Sequence, residues 1–172
     1  MLQLAPPGEE KAVSFEHDIH ERAFEQVQQY LSELFEEPYL DPETQHFYVR
    51  YGSTVLELFV EAYGPEEAIV TIDAYCVQGV DPAGDLLAGL MELNHHLPVG
   101  AFSVIGRDVF FSHTLFGASL DREGLLRALE AVATVSDDYD DRISAKYGGQ
   151  TALDRIRDTG GRAKRKRSTE LG

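Results

Sequence analysis

The spacing of hydrophobic side chains changes along the chain, and each change marks a different predicted element. Four apolar residues recur at helical spacing near the start: Phe24, Val27, Leu31 and Leu34. Asp18 precedes them and Glu21 follows it by three residues, which is the pattern of a capping box. The sequence therefore predicts a first helix that begins at Asp18 and ends before Pro38.

From residue 45 the apolar spacing becomes two, which is typical of β-strands. Gly52-Ser53 separates two such runs, and glycine first in a two-residue loop favours a type II′ hairpin. This turn predicts three cross-strand pairs: Tyr51 with Thr54, Val49 with Leu56, and Phe47 with Leu58. The third strand continues the inward face with Ala68, Val70, Ile72, Ala74 and Cys76. That continuation requires an odd number of residues in the loop before the strand.

A second helix and a second hairpin are predicted next. Asp81-Pro82 has the chemistry of a helix start, with Asp as the cap and Pro at the first helical position. The predicted apolar face of this helix consists of Leu86, Leu87, Leu90, Met91 and Leu97. Strands at 101–106 and 109–116 follow, around a turn at Arg107-Asp108. This turn would place His113 on the inward face near Phe102.

A third helix completes the predicted domain. Asp121 is its predicted cap, and Gly148-Gly149 its end. Its apolar stripe consists of Leu125, Leu126, Leu129, Val132 and Val135. The order α-β-β-β-α-β-β-α predicts an α+β two-layer domain, in which helices cover a mostly antiparallel five-stranded sheet. The predicted boundaries are a flexible leader at 1–17, the domain at 18–148, a short helical extension at 149–159 and a disordered tail at 160–172.

The charge of the chain limits its partners. It has 15 basic and 30 acidic residues, and five of the basic ones form one run near the end: Arg162, Lys164, Arg165, Lys166 and Arg167. Residues 1–161 therefore carry 10 basic and 29 acidic residues, a net charge of −19. A body this acidic repels nucleic acid and anionic membranes. The basic run is either a solubilising tail or a weak contact for nucleic acid or lipid.

The chain shows neither the pattern of a signal peptide at MLQLAPPGEEK nor an apolar run of the ~20 residues that a membrane helix needs. Its single cysteine, Cys76, cannot form an internal disulfide. The sequence therefore predicts a cytoplasmic protein without a membrane partner.

The residues that could form a metal site or a catalytic site are histidines, acidic residues, a serine and the single cysteine. Two groups have metal-ligand spacing: His17 and His20 with Glu16 or Glu21, and Glu92 with His95 or His96. The first group lies where the first helix only begins, and a stable site still needs a third or fourth ligand beside Glu92 and a histidine, so we predict neither a metal site nor a cofactor. Ser112 and His113 are strand neighbours on opposite faces and cannot pair as nucleophile and base. The sequence predicts no catalytic residue, and His113 is interpreted as a hydrogen-bonded core histidine.

The stretch LNHHLPVGAFSVIGRDVFFSHTLFGASL, followed by DREGLLRALEAVATVSDDYDDRI, resembles the YbjN family. The family pattern includes a helix that ends in an Asn, here Asn94, before the second hairpin. The resemblance covers residues 18–147 and implies the fold of class I type III secretion chaperones. It also implies a small, acidic, usually homodimeric protein that binds other proteins and performs no chemistry. Nothing in this sequence points to a secretion apparatus, so the resemblance extends only to the fold and the binding of partners.

The predicted registers leave several large side chains on the outer face of the sheet: Tyr48, Val55, Phe59, Ile69, Tyr75 and Val77. These residues are mixed with Arg50, Glu57, Thr71 and Asp73, and aromatic residues among charged ones are typical of an interface. A second subunit or a client peptide could cover this face, or the second helix could pack there. A client could also add as a strand at a sheet edge. The sequence thus predicts a non-enzymatic homodimer that binds a client protein or peptide. The alternative is a nucleic-acid-associated regulator that acts through the basic tail.

Overall fold

The computed structural model describes residues 15–82 and 84–151, and the predicted tail at 160–172 lies outside these ranges. The helices are α1 (Asp18–Leu34), α2 (Gly84–His96) and α3 (Arg122–Tyr147), with a 3-10 turn at Gly117–Ser119 before α3. The strands are β1 (Tyr39–Leu40), β2 (Phe47–Tyr51), β3 (Thr54–Ala62), β4 (Ala68–Gln78), β5 (Ala101–Ile105), β6 (Asp108–Phe116) and β7 (Gln150–Thr151). The α+β class is confirmed, with a sheet of seven strands instead of five, since two-residue strands β1 and β7 extend it.

Helix α1 packs through one stripe of buried residues: Ala23, Phe24, Val27 and Leu31. The predicted capping box is wrong, because the N-cap is His17, whose side chain makes no capping hydrogen bond within the described residues. Asp18 and Glu21 lie instead in the first turn, where their charges favour the positive end of the helix dipole. Phe15, within the predicted leader, packs on Phe24 with ring centroids 5.4 Å apart.

The first hairpin has the register that the sequence predicts. Tyr51 pairs with Thr54, Val49 with Leu56, and Phe47 with Leu58. Gly52 has φ +59°, which the first position of a type II′ turn requires. Turn chemistry and the apolar period therefore agree on one pairing.

Strand β4 joins the two hairpins in the middle of the sheet, whose order is β1-β2-β3-β4-β6-β5. Five residues, 63–67, separate Ala62 from Ala68, so the predicted odd loop length is confirmed. The predicted inward residues of β4 are all buried: Ala68, Val70, Ile72, Ala74 and Cys76. A bulge between Tyr75 and Val77 adds one residue to this strand and interrupts its alternation.

The second hairpin differs from the prediction by two positions in its pairing. Its turn is Gly106-Arg107, so Phe102 lies opposite Phe111 instead of His113. Gly106 has φ +64°, which places glycine at the first turn position, as in the first hairpin. His113 still faces inward, beside Ile72 of β4, and is half-buried.

Helix α2 is described over Gly84–His96, the predicted first helical residue Pro82 is not helical, and the apolar face is narrower than predicted. Leu86 and Leu90 are buried, whereas Leu87 and Met91 are 46% and 70% exposed. The predicted core role of these last two residues is therefore wrong.

Helix α3 follows its prediction closely. Asp121 is its N-cap and accepts a hydrogen bond from the Gly124 amide at 2.6 Å. Its stripe buries Leu125, Leu129 and Val132 against the sheet. Gly148 is the C-cap, and the next residues form β7, whose Thr151 pairs with Val77 of β4. A strand thus occupies the start of the predicted helical extension, and the rest of that prediction lies outside the described residues.

Candidate functional site: the outer face of the sheet

The outer face of the sheet is the side opposite the packed helices. Phe47 of β2 contacts Phe24 of α1, with ring centroids 4.8 Å apart. On the same inner side, Cys76 Sγ lies 3.2 Å from Ser136 Oγ of α3. Helix α2 contributes Leu86 to the same core and contacts the sheet at β5. The described helices therefore pack on the inner side, and the alternative that α2 covers the outer face is not observed.

Five of the six predicted outer-face residues lie on this side. Tyr48, Phe59, Ile69 and Tyr75 are half-buried, and Val55 is exposed. The sixth, Val77, is fully buried, so its predicted position is corrected. The bulge after Tyr75 turns both Cys76 and Val77 toward the core, which a strict period of two does not allow.

The centre of the outer face contains two acidic side chains, Glu57 of β3 and Asp73 of β4. They lie directly opposite each other in the register. Glu57 is only 2% exposed and has polar neighbours on its Oε1 atom. His46 Nδ1 lies 2.5 Å away, and the Tyr48 hydroxyl donates a hydrogen bond at 2.9 Å. The sequence placed both carboxylates on this face, but the near-complete burial of Glu57 could not be inferred from it.

Aromatic rings surround these carboxylates. The His46 ring stacks on Phe59, with centroids 4.9 Å apart and an interplanar angle of 23°. Tyr75 packs against Phe110 of β6 at 4.3 Å. Phe110 was not among the predicted site residues, although its alternation along β6 could have placed it on this face. The outer face, defined here by Tyr48, Val55, Glu57, Phe59, Ile69, Asp73, Tyr75 and Phe110, therefore combines apolar and acidic character.

A second apolar surface lies on α2, away from the sheet. Leu87 and Met91 are one helical turn apart and both exposed, so they form a short stripe. Asn94, in the last turn of this helix, binds the edge strand β5 through both ends of its side-chain amide. It donates to the Phe102 carbonyl at 3.0 Å and accepts from the Phe102 amide at 2.7 Å. Asn94 thus satisfies the outward backbone groups of one edge residue.

The candidate reactive residues are not brought together. Burial raises the pKa of the Cys76 thiol to about 12, so this cysteine is a poor nucleophile. Burial also lowers the pKa of His113, which favours its neutral form. Ser112 and His113 follow each other along β6 and face opposite sides of the sheet.

The candidate metal ligands are also separate. His20 Nε2 lies 3.2 Å from the Val60 carbonyl and so belongs to the contact between α1 and β3. Within residues 15–82 and 84–151, no three His, Cys, Asp or Glu side chains are arranged to hold a metal ion. Within the same ranges, no helix is long and apolar enough to span a membrane. The five tail residues, Arg162, Lys164, Arg165, Lys166 and Arg167, lie outside the described part of the chain.

These elements define an α+β domain with its described helices on one side of the sheet and an aromatic, acidic surface on the other. The comparison with known families identifies it further. Residues 21–155 match the family model TY-Chap1, described as T3SS (YopN, CesT) and YbjN peptide-binding chaperone 1, and the chain belongs to this family. The predicted YbjN resemblance is therefore confirmed.

Solved structures show the same fold. One matching chain comes from the crystal structure of the ExsC–ExsE complex, with a TM-score of 0.57 and 13% sequence identity. The match covers 73% of this chain and 96% of that one. No curated protein matches the sequence.

Proposed function

We propose that this protein is a non-enzymatic, chaperone-like or regulatory adaptor that binds a client protein or peptide and acts as a homodimer in the cytoplasm. The observation that carries the proposal is the outer face, where aromatic side chains remain on the side of the sheet away from the described helices. The family is one of peptide-binding chaperones, which supports a peptide as the client. The complex named in the structural comparison is consistent with a bound partner.

The client site is the outer face rather than an edge of the sheet. Among the described strands, β5 forms one edge and pairs only with β6. The Asn94 side chain already binds both outward backbone groups of Phe102, the second residue of this edge strand. A peptide strand added there would have to displace that side chain. On the outer face, a client would instead contact half-buried rings such as Phe59 and Tyr75 through its side chains.

Self-association is assigned to the α2 stripe. Leu87 and Met91 were predicted to be core residues because their spacing is apolar, yet both are exposed in the single chain. A second copy that covers them would remove this apolar area from water, which is the main driving force of association. This assignment separates the dimer surface from the client surface.

Two double variants test the assignment. Leu87→Asp with Met91→Asp should convert a dimer into a folded monomer, as measured by light scattering and circular dichroism. Phe59→Asp with Tyr75→Asp should leave the dimer intact. A monomer from the Phe59 and Tyr75 variant would place self-association on the outer face and contradict the client assignment.

Client binding is tested with short random peptides selected on the immobilised full-length protein. Selected peptides should lose affinity for a folded outer-face variant and keep it for the Leu87 and Met91 variant. If the Asp variant does not fold, Val55→Asp provides a second test, because Val55 is already exposed. Peptides that bind all variants equally would refute the outer face as the client site.

A further inference from the structure

Strand β5 covers only part of the edge of β6. The pairing of the two strands ends at Ala101 with Ser112, so residues 113–116 of β6 have no strand partner on the side away from β4 within the described sheet. Gly100 precedes β5, and its φ of +68° directs the chain out of line with the strand. A four-residue segment of β6 therefore forms a separate edge beside β5.

The direction of the backbone groups along β6 follows from the contacts of β5. Asn94 binds both backbone groups of Phe102, so these groups point away from β6, and the residue paired with Phe102 directs its own groups toward β4. Backbone groups alternate along a strand, which directs those of Ser112 and Thr114 to the β5 side. The Ser112 carbonyl agrees with this alternation, since a Cβ at Gly100 would lie 2.7 Å from its oxygen. The N–H and C=O groups of Thr114 therefore lie at the edge that β5 does not cover.

Exposed apolar side chains lie beside these edge groups. Thr114 is exposed, and its hydroxyl oxygen lies 3.3 Å from that of Thr71 in β4. Two residues further along β6, Phe116 is 59% exposed, and its ring centroid lies 6.4 Å from that of Tyr63. Phe116 pairs with Ile69 of the outer face, so the uncovered edge adjoins that face.

This edge lacks the features that usually protect a strand edge from pairing with another chain. Such features are charged side chains, prolines, bulges or a covering element. Residues 113–116 are HTLF, without Lys or Pro, and their register with β4 is regular. The edge of β5, in contrast, is covered at Phe102 by the side chain of Asn94. Uncovered donor and acceptor groups next to an exposed ring are a template for an extended peptide.

We propose that residues 114–116 of β6 pair with the main chain of an extended client segment, which adds to the sheet in line with β5. This inference rests on the proposed function, because it takes the client to be a peptide, and it adds a short main-chain contact to the proposed face site. The client residue opposite Thr114 exchanges two hydrogen bonds with it. An apolar client residue opposite Phe116 packs against the rings of Phe116 and Tyr63.

Amide hydrogen exchange tests this edge without any substitution. In the free full-length protein, the Thr114 amide should exchange faster than those of His113 and Leu115, which point toward β4. Saturation with peptides selected on the immobilised protein should slow exchange at Thr114 by about tenfold or more. An unchanged rate in the complex would overturn the inference. A Thr114 amide that is already protected in the free protein would also overturn it, because another segment of this chain would then occupy the edge.

The variant Thr114→Pro tests the same contact by peptide affinity, measured by fluorescence anisotropy. Proline removes the outward N–H and keeps the bonds to β4, because a strand edge tolerates proline where its nitrogen faces solvent. The variant should bind the selected peptides about tenfold more weakly. Thr114→Val is the matched control, since it keeps the amide and removes only the hydroxyl, and it should leave the affinity unchanged. Equal losses in the two variants would assign the effect to the hydroxyl and refute main-chain pairing.

The peptide is changed instead if Thr114→Pro does not fold. Methyl groups placed on its backbone nitrogens, one at a time, should weaken binding about tenfold at alternate positions of the paired segment. Phe116→Ser should also weaken binding, whereas Tyr39→Ser should not, although Tyr39 of β1 is equally exposed at 59%. Equal effects of these two serine variants would refute the contact at Phe116.

The same measurements distinguish this inference from the proposed function. Peptides that lose affinity for the Phe59 and Tyr75 variant but bind Thr114→Pro and Phe116→Ser unchanged would leave the proposed function and remove the edge contact. A folded, monomeric Thr114→Pro variant would make a second copy of this chain, and not a client, the occupant of the edge.

Discussion

Replacement of Asn94 tests how the edge of the sheet is closed. The Asn94 amide group makes two hydrogen bonds to one residue of β5, donating to the Phe102 carbonyl and accepting from its amide. Asn94→Ala removes both bonds. Asn94→Asp keeps the size of the side chain and the acceptor, but it places a carboxylate oxygen against the Phe102 carbonyl.

The structure sets the magnitude of the effect. A hydrogen bond within a protein contributes about 0.5–1.5 kcal/mol net, so Asn94→Ala should lower the free energy of unfolding by about 1–3 kcal/mol. For a chain of 172 residues, this corresponds to a Tm lower by roughly 2–12 °C. Asn94→Asp should be at least as unstable as Asn94→Ala, because the repulsion between the two oxygens offsets the bond that it keeps.

Urea denaturation followed by circular dichroism measures both variants, and amide hydrogen exchange at Phe102 reports the local effect. Glu92→Ala is the control, since Glu92 is exposed two residues earlier on α2. It should change the free energy of unfolding by less than about 0.5 kcal/mol. If Asn94→Asp were as stable as the unmodified protein, the side chain would act by its shape alone, and the hydrogen-bond argument would be refuted.

Three further predictions concern the core. Gly100→Ala should lower the free energy of unfolding, measured by urea denaturation, by about 2–5 kcal/mol, because its Cβ would lie 2.5 Å from the Phe111 ring at φ +68°. Gly64→Ala is the control, since Gly64 also has a positive φ but lies in open space, and it should lower the free energy of unfolding by only about 1–2 kcal/mol. Equal losses in the two variants would contradict the steric argument. Burial raises the pKa of the Cys76 thiol to about 12, so the fold keeps this thiol protonated. Its contribution to the free energy of unfolding should be complete below pH 9 and decline toward pH 12, by up to about 1.4 kcal/mol per pH unit. Cys76→Ala should lack this decline between pH 9 and pH 12. Burial lowers the pKa of His113, so its contribution to the free energy of unfolding is present above pH 6.5 and is lost as the pH falls below that value. If a His113→Gln variant lost stability in acid to the same extent, His113 would be excluded as the cause of that loss.

The two hairpins show what the sequence can determine about register. In the first, Gly52 allowed one turn that also agreed with the apolar period, and the predicted pairs are those of the structure. In the second, turns at Gly106-Arg107 and at Arg107-Asp108 leave the same residues facing inward. The apolar period therefore cannot choose between them. The positive φ of Gly106 selects the turn that begins with glycine, the same rule that succeeded at Gly52.

Other features depend on tertiary structure and could not be read from periodicity. The bulge that buries Val77 adds one residue to β4, and a period of two contains no signal for it. Leu87 and Met91 have the spacing of core residues, yet in α2 only Leu86 and Leu90 are buried, and the apolar spacing does not distinguish the two pairs. The alternation along β3 predicts the side of the sheet on which Glu57 lies, whereas its burial is a tertiary property that a period of two does not encode.

The edges of the sheet explain why recognition is assigned to its face. At one edge, the side chain of Asn94 from α2 binds both outward backbone groups of Phe102 in β5. On the other side, β1 pairs only with Phe47 and Tyr48 and leaves residues 49–51 of β2 as a short edge. Pro38 and Pro42 flank β1, and proline cannot donate to a backbone ladder. Main-chain pairing at these described edges could therefore order only a short stretch of a client, which is why we propose the face of the sheet and not its edge as the client site.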